Sequence, residues 1–112
     1  MLKVLDIEHQ PLLATTEVNV YETSIGLQKA VPEGNGRREF EAMVSRLIVL
    51  PLDRKASLKA AEIASFLLRT GKMIDHLDCL TAGILLTNGY DILLTRNISH
   101  FSRIPGLKVE TY

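Results

Sequence analysis

The sequence predicts an α/β fold with a largely parallel sheet, on three observations. Short apolar runs alternate with longer segments of helical periodicity. Turn-forming residues punctuate nearly every junction between them. A length of 112 residues, 46 % hydrophobic and 23 % charged, is enough for one core and too short for two.

The elements follow in order. Leu12-Leu13-Ala14-Thr15, behind Gln10-Pro11, has the size and flanks of a buried strand. Thr16 is placed to cap a helix over about residues 17–31, with Glu17 at its positive end. Pro32-Glu33-Gly34-Asn35-Gly36 is the strongest loop signal. Phe40, Met43 and Leu47 stand at helical spacing and predict a second helix over 37–46. Leu47–Leu52 reads as a strand that Pro51 confines to an edge or an end. Asp53 caps an Ala- and Leu-rich helix over about 54–70, which Gly71 stops. Asp75 opens another over about 76–88, closed by Asn88-Gly89. A strand at 91–95, a short helix around 98–101 and a last strand at 107–111 complete the series.

Composition excludes several function classes. The longest apolar stretch, Leu47–Leu52, is far below the ~18 residues of a membrane helix. Lys3, Asp6 and Glu8 rule out a secretory leader at the N-terminus, and a single cysteine, Cys79, makes no internal disulfide. Both features fit the cytoplasm. Thirteen basic and thirteen acidic residues cancel, so any nucleic-acid binding must be local. No Walker loop, dinucleotide fingerprint or serine-hydrolase elbow is present. His9, His76 and His100 are each solitary and do not support zinc, and Cys79 reads as a structural thiol.

Two sets of carboxylates remain. Glu22 lies four residues after Val18, three before Ile25 and next to Tyr21, so the apolar stripe puts it on or beside an inward face. A carboxylate there needs a cation or donors; otherwise Glu22 sits at the stripe's edge and reaches solvent or a basic neighbour. Asp75 and Asp78, three apart, fit an N-cap and a first-turn acid. Yet the helix beyond Asp78 is almost wholly apolar, and Ala82 and Gly83 would let it approach something closely, which makes Asp78 a site candidate as well. Polar residues after the 91–95 strand occupy the place where open α/β sheets bind ligands. There Asn97 either bonds its own backbone in a turn or presents its amide oxygen to a ligand.

These runs carry a resemblance. Ile74-Asp75-His76-Leu77-Asp78-Cys79-Leu80-Thr81-Ala82-Gly83, with Leu94-Thr95-Arg96-Asn97-Ile98-Ser99-His100-Phe101-Ser102-Arg103-Ile104-Pro105-Gly106-Leu107, resembles the C-terminal half of PIN domains, most of all the VapC toxins of toxin–antitoxin pairs. Leu13–Glu22 is similar to the family's second strand and the helix carrying its second acid. The resemblance spans about residues 12–111. It implies a single PIN-like, three-layer α/β/α domain over 1–112 and a metal-dependent endoribonuclease. Glu22 and Asp78 would hold Mg²⁺ or Mn²⁺, Asn97 would support them, and Thr95 and Arg96 would help hold the loop and the RNA backbone. It further implies a homodimer and a VapB-like antitoxin as partner. The alternative is an inactive PIN-like remnant that binds protein or RNA.

The pattern departs at the start. The family opens with a central strand ending in Asp, followed by a helix, whereas only eleven residues precede Leu12 here. Met1–Asp6 looks like that strand and Asp6 like its acid, but a parallel crossover needs a dozen or more residues. Met1, Val4, Leu5 and Glu8 have helical spacing, so residues 1–11 are read as the tail of the helix that follows a missing central strand. The vacated place would be met by a longer natural chain, by a strand swapped from a second copy, or by residues 1–9 in a different topology.

Overall fold

The structure is a computed structural model, which describes residues 3–7, 10–30 and 36–111. Strand β1 (Lys3–Ile7) runs antiparallel to β2 (Gln10–Thr16), which leads directly into helix α1 (Glu17–Ala30). Helix α2 (Arg37–Val44) and strand β3 (Ile48–Leu50) follow, then α3 (Arg54–Arg69) and α4 (His76–Thr87). Strand β4 (Ile92–Leu94), the single turn α5 (Ile98–Phe101) and β5 (Lys108–Glu110) complete the order. Most of the expected loop 32–36 lies outside the described residues.

Two ladders are present among the described residues. In one, β2 lies between β1 and β3, and it pairs β3 in parallel with Ala14 opposite Ile48 and Thr16 opposite Leu50. In the other, β4 and β5 pair in parallel, Ile92 opposite Lys108. Cα atoms of β1 come within 8 Å of β4, so β1 lies where the two ladders meet. As Pro51 requires, β3 is short and sits at the edge of its ladder.

The start of the chain corrects the expected helical tail. Lys3–Ile7 is a strand in register with β2 along its whole length, from Lys3 opposite Ala14 to Ile7 opposite Gln10. The crossover objection applies only to a parallel neighbour. An antiparallel one needs as few as two connecting residues, and two separate Ile7 from Gln10. Lys3–Ile7 thus gives β2 a partner on each edge.

Helix boundaries follow from local chemistry. Thr16 Oγ1 accepts from the Asn19 amide at 3.2 Å, and Asp53 Oδ1 accepts from the Ala56 amide at 2.9 Å, each quieting an otherwise unsatisfied donor of a first turn. Helices α3 and α4 end in the same way. The amide of Gly71 donates to Leu68 O and that of Lys72 to Leu67 O; at the end of α4, Gly89 and Tyr90 repeat the pattern on Leu86 O and Leu85 O. Gly71 and Gly89 have φ of 68° and 80°, the left-handed conformation this closure needs.

The core lies around α4, which is buried on most of its circumference. Leu67 from α3, Ile84 and Leu85 from α4, Leu93 from β4 and Phe101 from α5 are fully buried there. Each such side chain contributes about 1.5–3 kcal/mol relative to exposure. The expected close approach of α4 occurs at Gly83. A Cβ there would stand 2.6 Å from Ala56 O and 2.8 Å from Ala60 Cβ, so α3 lies against bare backbone.

Candidate active site

The apolar stripe expected on α1 is not the face that packs. Tyr21 is 57 % exposed and Ile25 38 %, whereas Val18 and Asn19 are buried. At about 100° per residue, Glu22 falls within about 40° of Val18 and 60° of Asn19, on the same face one turn further along. It is exposed there. Glu22 thus stands at the margin of the packed face.

The pair at the head of α4 divides its labour. Asp75 caps the helix, its Oδ1 accepting from the Leu77 amide at 2.8 Å, and it is exposed. Asp78, one turn on, points inward: its side chain is 12 % exposed. The Asn97 amide Nδ2 donates to Asp78 Oδ2 at 3.4 Å, and His100 Nδ1 lies 3.1 Å from the same oxygen. The two nitrogens are 3.0 Å apart because both converge on that oxygen. A carboxylate oxygen needs a donor, so the tautomer that serves Asp78 carries its proton on Nδ1. The polar contacts of Asp78 among the described residues fall on Oδ2, which leaves Oδ1 as the open acceptor.

The β4–α5 connection builds the other side of this corner. Thr95 is 1 % exposed, and its Oγ1 accepts from the Asn97 amide at 3.0 Å while its own amide donates to Glu110 O at 2.9 Å. Thr95 therefore holds the loop from a buried position, and Arg96 beside it is exposed. The Asn97 side chain makes no cap bond in α5 and instead donates through Nδ2 to Asp78. His100, solitary in sequence, is the residue that reasoning from spacing missed. Its place three residues after Asn97 in a short helix was the available signal, since residues i and i+3 share a face.

The register sets Asp6 opposite Pro11, five strand residues or about 17 Å along β2 from Thr16, where α1 begins. Next to Asp78, the Cys79 thiol is buried; burial first, then the charges of Asp78 and Asp75, push its pKa above the ordinary thiol value. It stays protonated at neutral pH, in keeping with a structural role.

Hard divalent cations take oxygen ligands, and magnesium commonly makes do with one or two carboxylates and water. Asp78 Oδ1, the Asn97 amide oxygen and the Glu22 carboxylate suit such an ion in kind. In number they are few: among the described residues no three His, Cys, Asp or Glu side chains form a metal-holding group.

Parallel strand pairs flanked by helices, with Asp78, Asn97 and His100 gathered beyond the end of β4, make this an α/β domain with a polar cluster at a strand end. No protein-family model matches the chain. It is 30 % identical over 105 residues to the tRNA(fMet)-specific endonuclease VapC of Shigella flexneri, covering 93 % of this chain and 78 % of that one. The protein of the same description from Salmonella typhimurium is 27 % identical over 100 residues, or 89 % and 75 % of the two chains. The DNA-bound VapBC structure from Salmonella typhimurium superposes with a TM-score of 0.78 at 28 % identity, over 86 % of this chain and 72 % of that one. The chain belongs to the VapC family.

Proposed function

We propose that this chain is an endoribonuclease that hydrolyses RNA phosphodiesters at the Asp78 corner with the help of Mg²⁺ or Mn²⁺. The observation that carries the reading is Asp78 itself, a nearly buried carboxylate with one oxygen steadied by Asn97 and His100 and the other left open. Similarity to proteins named as VapC endonucleases supports it. Asp78 and Glu22 would hold the cation, with Asn97 in support. When bound, such a cation activates water and offsets charge on the phosphodiester. The chain's own residues do the positioning: His100 and Asn97 orient Asp78, Thr95 fixes the turn, and the exposed Arg96 would meet the RNA backbone.

A VapB-like antitoxin, a homodimer and a cytoplasmic setting belong to the same proposal. The solved neighbour is a VapBC assembly. Between α1 and α2 a cavity of about 610 Å³ is lined by Val20, Leu27, Phe40 and Val44, an apolar groove suited to a partner segment. Leu58 and Leu68 on α3 are 64 % and 60 % exposed, apolar surface of the kind interfaces cover. No helix among the described residues is long and apolar enough to cross a membrane.

The test is cleavage of labelled single-stranded RNA and of an initiator tRNA transcript with Mn²⁺, beside Asp78→Asn and an EDTA control. We expect cleavage by the parent chain and loss of it in both controls. Cleavage by Asp78→Asn at the parental rate would remove the assignment. One observation favours a second reading: without a three-acid group among the described residues, a folded chain that binds but never cleaves is a PIN-like binding module.

A further inference from the structure

We propose that the hollow between the end of α3 and the residues after α5 is a single-stranded RNA subsite, with Phe66 stacking a base and Lys72 and Arg103 holding the adjoining phosphate. The inference rests on the ribonuclease reading of the Asp78 corner and names how the strand being cut is held.

The hollow measures about 580 Å³, within the range of small-ligand sites (roughly 300–1,000 Å³). Phe66, Thr70, Lys72, Ser102 and Arg103 line it, and among the described residues no carboxylate does. Arg103 is preorganised. Its Nη1 donates to the carbonyl oxygens of Lys72 and Met73, both at 3.3 Å, which occupies that nitrogen's two hydrogens. Nη2 and Nε remain, the fork that grips a phosphate in two places. Neither Arg103 nor Lys72 forms an ion pair among the described residues. The glycine closure of α3 delivers Lys72 to the same rim.

Phe66 is 39 % exposed although the core begins at the next residue, Leu67. An exposed ring beside unpaired cations is the combination that single-stranded nucleic acids use, a π-face for a base and positive charge for the backbone. An acidic peptide would use the cations but has no need of the ring. The Arg103 amide donates to His100 O at 3.3 Å, so Arg103 stands one turn along the chain from the imidazole that touches Asp78.

The test is fluorescence anisotropy with a labelled single-stranded oligoribonucleotide, using the Asp78→Asn chain in EDTA so that binding is read without cleavage. Lys72→Gln and Phe66→Ala change exposed side chains, and circular dichroism verifies that each variant folds. Lys72→Gln should weaken binding several-fold and reduce the slope of log Kd against log salt by about 0.7, one single-strand phosphate contact. Phe66→Ala should weaken binding about five-fold or more with the slope unchanged, and Phe66→Trp should restore it. Parental affinity in both Lys72→Gln and Phe66→Ala would overturn the subsite, as would an absence of RNA binding by the parent chain. The wild-type cleavage assay separates the two proposals: cleavage indifferent to Phe66 and Lys72 removes the subsite alone, and binding that depends on them without cleavage removes the nuclease alone.

Discussion

His100 shows what a single side chain adds to a corner that two acids and an amide only sketch. Without its imidazole, Asp78 Oδ2 keeps only the long 3.4 Å contact from Asn97. Groups that orient a metal-binding carboxylate are worth about 10–100-fold in affinity or activity. We expect His100→Ala to cleave RNA about 10- to 100-fold more slowly, with part of the rate recovered by raising Mn²⁺ and the melting temperature nearly unchanged. Cys79 allows a second residue-level prediction. Its pKa is raised in the fold, so the protonated thiol is the form the fold prefers. The stabilisation is complete below the unfolded thiol value of about 8.5 and disappears as pH rises through the folded value. Melting temperature should therefore fall more steeply above about pH 8.5 in the parent than in Cys79→Ala. Why His100 escaped notice is physical. Its partner is 22 positions away, brought near by a strand and a turn, and spacing tests alone see only neighbours.

At the scale of elements, the sequence is most legible where one residue type has one use. Asp53, Asp75 and Thr16 cap helices where their side chains predict it, and Gly71 and Gly89 end them. Small residues were equally readable: Gly83 marks where α4 meets α3. Gly83→Ala brings a Cβ to 2.6 Å from Ala56 O, and backbone cannot swing aside as a side chain can. Overpacking costs about 1–3 kcal/mol, against a gain in helix propensity of about 1 kcal/mol. We expect a net loss, read as a melting temperature several degrees lower. Legibility fails where two periods compete. Met1, Val4, Leu5 and Glu8 fit a helix, but so short a segment does not distinguish periods of 3.6 and 2, and for Lys3–Ile7 strand pairing decided it. On α1, Val18, Tyr21 and Ile25 traced a stripe, but the helix packs through its first turn at Val18 and Asn19.

For the whole molecule, the α/β architecture was legible because alternation and punctuation are properties of the entire chain, and the structural neighbours share it. The assembly of the site was only partly so. The structure brings Asp78 and Asn97 into contact, while Glu22 is exposed on α1. A cation bridging α1 and α4 would tie these parts together, which a melting experiment reads directly. Millimolar Mn²⁺ should raise the melting temperature of the parent by several degrees and leave Asp78→Asn unmoved, since a ligand of the folded state stabilises by RT ln(1 + [L]/Kd).

The β1–β2 hairpin bears on the order of events during folding. A central position in a parallel sheet is ordinarily reached by a long crossover, so it is filled only after distant segments meet. Here neighbours in sequence pair, and a hairpin of this kind closes in about 1–10 μs. With Lys3 to Ile7 in register, β2 can present its other edge early, ready for Ile48–Leu50 to arrive from more than thirty residues downstream. The slow search is confined to that second pairing and to bringing β4 alongside β1. The first strand thus acts as a local template on which the long-range half of the domain is laid down.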